Sequence, residues 1–106
     1  MNIQNSEKFY AQAQNFMPGG VNNPVRACRA VGRAPLFIDH AKGSKIYDVD
    51  GNEYIDYICS WGPNILGHAN ERVINAVTET CQRGLTFGAC HSGEIKLAEL
   101  IKKHFP

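Results

Sequence analysis

Few side chains in this chain of 106 residues stand where chemistry can be asked of them. Arg26 closes the run Pro18-Gly19-Gly20-Val21-Asn22-Asn23-Pro24-Val25-Arg26. A guanidinium behind a proline-stiffened turn presents a rigid fork to a carboxylate, and Asn23 adds an amide donor beside it. Trp61, the single tryptophan, lies in Ser60-Trp61-Gly62-Pro63-Asn64-Ile65-Leu66-Gly67-His68. That stretch is broken by glycine and proline yet rich in apolar residues, so something must cover it. Trp61 there can form the wall of a ligand pocket, and His68 can donate a hydrogen bond. Each has a plainer reading: a solvated arginine, a core tryptophan, and a structural histidine at a strand-to-helix turn.

Other chemistries find less support. Cys28, Cys59, Cys81 and Cys90 are widely spaced, with no C-x-x-C, and read as reduced thiols rather than disulfides. Cys90 and His91 are adjacent, an awkward spacing for two ligands of one tetrahedral ion, so no metal site is expected. Asp48, Asp50 and Asn52 imitate the start of a calcium loop. Glu53 stands where that loop needs glycine and Cys59 where it needs glutamate, so these residues read as turn-formers. Lys8, Lys42, Lys45, Lys96, Lys102 and Lys103 all lie in polar, turn or helix-surface contexts, none suited to Schiff-base chemistry. The residues therefore name no catalytic group and no cofactor contact of their own. Net charge is +1 without a basic run, which argues against nucleic acid. No apolar run approaches a membrane span and no signal peptide opens the chain, so the cytoplasm is the expected compartment.

The elements that must position these groups form an α+β pattern. Residues 6–16 read as a helix, with Ser6 as N-cap and Phe9, Ala13 and Phe16 on one face; Pro18-Gly19-Gly20 ends it. Residues 21–32 read as an irregular arm. The period then becomes two: strands are expected at 36–38, 45–49 and 53–58, with turns at 41–44 and at Asp50-Gly51-Asn52. This is a three-stranded antiparallel meander. Helices are expected at 71–83, capped by Asn70, and from a Ser92 cap to about His104. The natural division is 1–34, helix and arm, and 35–106, meander, Trp loop and two helices. Two amphipathic helices and a small sheet call for a partner surface.

The same residues carry a resemblance. Pro18 to Ala27, the Gly43–Tyr57 segment with Asp48-Val49-Asp50-Gly51-Asn52, Ser60-Trp61-Gly62-Pro63, Ile65 to Ala69, and Gly84 to Ala89 resemble the N-terminal part of the class III aminotransferase family. Within it, the arm ending in Pro24-Val25-Arg26 and the Ser60-Trp61-Gly62-Pro63 run are similar to the glutamate-1-semialdehyde aminomutases. Many of those enzymes have serine where this chain has Asn23, and their usual Pro-Thr is replaced here by Cys90-His91. The resemblance implies an N-terminal segment of a fold type I, pyridoxal-phosphate-dependent homodimer. Such an enzyme converts glutamate 1-semialdehyde to 5-aminolevulinate for tetrapyrrole synthesis, starting from the pyridoxamine phosphate form. It implies that Arg26 pairs with the substrate carboxylate, with Asn23 beside it, and that Trp61 lines the same pocket. It also implies that the cofactor domain, with its Schiff-base lysine, lies outside this chain, which alone is expected to be inactive and free of cofactor. Two rival readings are another class III ω-aminotransferase and a non-catalytic interaction module.

Overall fold

The computed structural model describes all of residues 1–106 and divides into two compact units, Met1–Asn70 and Glu71–Pro106. In the first unit, helix α1 spans Gln4–Gln14, followed by three short 3-10 turns at Pro18–Gly20, Pro24–Ala27 and Arg29–Val31. Strands β1 (Ile38–Lys42), β2 (Lys45–Asp48) and β3 (Glu53–Ile55) form one antiparallel sheet in the order β1-β2-β3. The expected meander is therefore present, with shifted edges. Residues 36–37 precede the first strand, because Phe37 spends its amide on Ser6 Oγ (3.2 Å) and its carbonyl on Val49 N–H (2.9 Å). Pairing instead continues through Ala41 and Lys42, so the turn shrinks to Gly43-Ser44. The register shifts between Ile38 and His40, and His40 then stacks on Tyr47 with ring centroids 4.5 Å apart.

Ser6 is not the N-cap of α1. It lies inside the helix, 1% exposed, and its hydroxyl holds the approach to β1. The cap is supplied from the hairpin turn: Asp50 Oδ1 accepts from Asn5 N–H at 2.8 Å and Oδ2 from Ser6 N–H at 2.9 Å. A carboxylate at that end also meets the positive pole of the helix dipole. Phe9 packs on Phe37 with ring centroids 5.7 Å apart, and Ala13 and Ala27 are buried. The core of this unit is thus small and is completed by polar groups.

Asp48 is the main one. It is 2% exposed, and its Oδ1 accepts from the amides of Asp50 (3.0 Å) and Asn52 (2.8 Å). Its Oδ2 accepts from Asn52 Nδ2 (2.8 Å) and Tyr54 O–H (2.7 Å). The Asp-Asp-Asn spacing that imitates a calcium loop is a turn held by its own side chains.

In the second unit, α2 spans Glu71–Cys81 and α3 spans Ser92–His104. The cap of α3 is His91 rather than Ser92: its Nδ1 accepts from Gly93 N–H at 3.1 Å, while the imidazole packs on Phe87. Val73, Ile74 and Val77 on α2, and Ile95, Leu97, Leu100 and Ile101 on α3, are exposed. No helix of the chain is long and apolar enough to cross a membrane.

Candidate functional site

The arm after α1 reverses direction at Gly19 and Gly20, both in the left-handed region (φ 70° and 71°). A Cβ on Gly20 would come within 2.6 Å of the Tyr10 ring, so only glycine lets the arm fold back on α1. Asn23 then caps the Pro24–Ala27 turn through Oδ1, which accepts from Val25 N–H at 3.1 Å. Pro24 opens that turn with its φ already fixed. Arg26 sits one turn on. Its Nη1 donates to Asn22 Oδ1 at 3.0 Å, and no carboxylate of the chain lies within ion-pair distance. The guanidinium is therefore oriented but not neutralised. It borders an open cleft of about 600 Å³ shared with Gly20, Asn22, Phe37, Ile38 and Ser60.

Ser60 reaches that cleft from the Trp loop. The structure brings Arg26 and Ser60 to one cleft; Asn23 supports its rim through the turn, and Trp61 stands next to Ser60, 71% exposed. The loop backbone is unusual. Cys59, Ser60 and Trp61 all have positive φ (50°, 53° and 66°), and Gly62 follows at 113°. A left-handed residue with a Cβ costs roughly 1–2 kcal/mol, and such strain persists only where surrounding contacts over-determine it.

Those contacts converge on Asp56 and His68. Asp56 Oδ1 accepts from the amides of Ile58 (2.8 Å) and Cys59 (3.0 Å), and its Oδ2 lies 2.6 Å from His68 Nε2. The side chains of His68 and Asp56 are 21% and 7% exposed. His68 also exchanges two backbone hydrogen bonds with Gly43, 2.8 and 2.9 Å, while Asp56 N–H donates to Ser44 O at 2.8 Å. Both ends of the loop are thus fastened to the β1–β2 turn. Of the two readings of His68, a ligand donor or a structural histidine at a strand-to-helix turn, the structure supports the second. Its Nε2 is taken by Asp56, a residue not singled out because aspartate at a strand end looks like an ordinary turn residue.

Two of these carboxyls are shifted in the same direction. The His68 hydrogen bond, reinforced by the Cys59 and Ile58 amides, holds Asp56 below the usual carboxylate range. For Asp48, burial pushes the carboxyl up, but the hydrogen bonds from Asn52, Tyr54 and the Asp50 amide together outweigh it and leave it lowered. A lowered folded-state value means that the unfolded chain binds the proton more readily. Stability from these groups is complete above their unfolded value, about 4, and is lost as pH falls through the lower folded values. The urea midpoint is accordingly expected to stay level from pH 7 to about 5 and to drop below about 4. Asp48→Asn and Asp56→Asn should each flatten that drop; an acid limb of unchanged slope in both variants would rule these two groups out as its cause.

All six lysines of the chain are exposed on helix, strand or turn surfaces.

The profile of the class-III aminotransferases matches residues 27–106. The chain is 60% identical, over all 106 residues, to the glutamate-1-semialdehyde 2,1-aminomutase of Thermodesulfovibrio yellowstonii, and spans 25% of that protein. It is 57% identical to the enzyme of that name from Clostridium novyi, over 95% of this chain and 23% of that protein. Among solved structures, a transaminase with PLP bound superposes with a TM-score of 0.90 at 28% identity, covering 97% of this chain and 24% of the other. An ω-transaminase from Sphaerobacter thermophilus gives 0.85 at 26% identity, over 92% and 22%. A glutamate-1-semialdehyde aminomutase from Pseudomonas aeruginosa gives 0.81 at 24% identity, over 93% and 22%, a likeness of fold. The chain thus spans about a quarter of the length of the relatives it matches, and its helix–arm–meander–helix order is that of a segment of these transaminases.

Proposed function

The chain belongs to the class III aminotransferase family, and from that premise we propose that it forms the N-terminal part of a glutamate-1-semialdehyde 2,1-aminomutase. The observation that carries this reading is the identity with enzymes of that name, which extends over the whole chain rather than over one motif. In this reading the protein works in the cytoplasm as a homodimer, moving an amino group between neighbouring carbons to give 5-aminolevulinate.

Arg26 binds the carboxylate of glutamate 1-semialdehyde. Its fork is held by Asn22 and carries an unpaired charge at the rim of the cleft, so a carboxylate gains two parallel charge-assisted bonds without displacing a partner. Asn23 keeps that turn in shape with its side-chain oxygen, and in this reading its amide nitrogen is the donor offered to substrate. Trp61 covers the bound molecule and excludes water, which strengthens the Arg26 contact. Pyridoxal phosphate, in its pyridoxamine form, supplies the electron sink for amino-group movement. The exposed lysines of this chain do not suit the site of such a cofactor. The reading therefore assigns cofactor binding and proton transfer to the other three quarters of such an enzyme, and residues 1–106 alone are expected to be inactive.

A chimera tests the assignment. Residues 1–106 would replace the corresponding quarter of the Thermodesulfovibrio yellowstonii aminomutase, and formation of 5-aminolevulinate would be measured. The chimera is expected to keep kcat/KM within about tenfold of the parent, equivalent to ~1.4 kcal/mol. The fold is equally that of ω-transaminases. A chimera that transaminates ω-amines while leaving the semialdehyde untouched would therefore favour that second reading.

A further inference from the structure

The left-handed turn at Cys59–Gly62 does not explain itself: three consecutive residues with side chains hold a backbone conformation that favours glycine. What surrounds it is a single clasp. One carboxylate, Asp56, receives the first amides of the turn on Oδ1 and, on Oδ2, the imidazole that ends the loop. The distance of 2.6 Å between Asp56 Oδ2 and His68 Nε2 closes the loop at its base, in a place where both side chains are largely sheltered. The loop carries Ser60 into the cleft beside Arg26, and Trp61 next to it.

We propose that Asp56 and His68 are positioning residues for substrate binding: their hydrogen bond locks the strained turn so that Ser60 lines the Arg26 cleft and the neighbouring Trp61 is held in one conformation at its edge. The proposal rests on the functional reading above for its substrate. Neither residue touches substrate. The clasp acts by sparing the bound state the cost of ordering the loop, so its loss falls on binding more than on the chemical step. The donor matters more than the ring, because Gln at position 68 can place an amide nitrogen near the position of Nε2, whereas Leu fills the space without a donor.

Trp61 is the chain's own probe, being its only tryptophan. Time-resolved fluorescence anisotropy of the 106-residue chain should show little fast local motion in the parent and in His68→Gln. A large fast component is expected in His68→Leu and Asp56→Ala, with far-UV circular dichroism verifying that each variant is folded. In the active chimera, His68→Leu should raise KM for glutamate 1-semialdehyde by about tenfold while kcat changes by less than about threefold, and His68→Gln should recover most of the loss. Unchanged Trp61 anisotropy in a folded His68→Leu chain overturns the clasp. A mobile Trp61 with unchanged KM overturns its role in binding, and equal losses in the Gln and Leu variants overturn the hydrogen bond as the cause. The fluorescence arm needs no catalysis, so an unmutated chimera inactive on the semialdehyde counts against the proposed function and against the substrate named here, while the clasp still stands or falls on the motion of Trp61.

Discussion

Arg26→Ala in the chimera is expected to raise KM for glutamate 1-semialdehyde roughly 30- to 150-fold, the loss of about 2–3 kcal/mol from a charge-assisted bidentate contact. The effect should be this large because the guanidinium has no carboxylate partner in the chain, so its binding capacity is held for a ligand. Arg26→Lys should recover only part of it, since an ammonium restores the charge but not the fork. Asn22→Ala should cost only a few-fold, by loosening Nη1 without removing it. Steady-state kinetics with the purified chimera would decide the matter. An unchanged KM for Arg26→Ala would mean that the carboxylate is held elsewhere, and would favour an ω-aminotransferase substrate without that group.

Gly67→Ala is expected to be among the most damaging conservative changes to folding. Gly67 has φ 76°, and a Cβ there would lie 2.9 Å from Gly43 O and 3.2–3.3 Å from Gly43 C and Cα. Backbone cannot swing aside as a side-chain tip can. The substitution therefore adds left-handed strain and forces apart the paired hydrogen bonds between Gly43 and His68, together roughly 2–4 kcal/mol. For a chain of this size the melting midpoint should fall by about 10 °C or more. Gly43→Ala makes the natural control: φ is 58°, but nothing lies within 4 Å of a new Cβ. It carries the strain alone, about 1–2 kcal/mol, and should lower the midpoint by no more than about half as much. Equal shifts for the two variants would show that the close approach at Gly67 contributes nothing.

What could be read from the sequence was what local chemistry decides. Asp50-Gly51-Asn52 marks a hairpin because Gly51 supplies the positive φ and Asp48 ties the turn through neighbours only two and four residues away. The end of α1 and the start of the arm were legible for the same reason, in Pro18-Gly19-Gly20. The errors fall where a partner is distant. Ser6 has the composition of an N-cap, but a carboxylate 44 residues further along takes that role, freeing the hydroxyl for Phe37. Phe37 looks like strand, yet its neighbours in space are Ser6 and Phe9 of α1 and Val49. At α3 the miss is by one residue, because imidazole Nδ1 can accept as a serine oxygen does. In the candidate site, Arg26, Asn23 and Trp61 could be named as candidates by type and spacing, but their substrate role came from the family resemblance. The backbone of Cys59 to Trp61 did not, since no residue type there announces a left-handed turn.

The capping of α1 by Asp50 also sets an order of events during synthesis. Eleven residues are too few for a helix to persist alone in water, and the N-cap residue, Ile3, has no side-chain hydrogen bond to hold it. On the ribosome, α1 is made before the hairpin, and Asp50 must emerge before the amides of Asn5 and Ser6 find their acceptor. The start of α1 is therefore fixed by its future rather than by its past, and the hairpin is the event that recruits it.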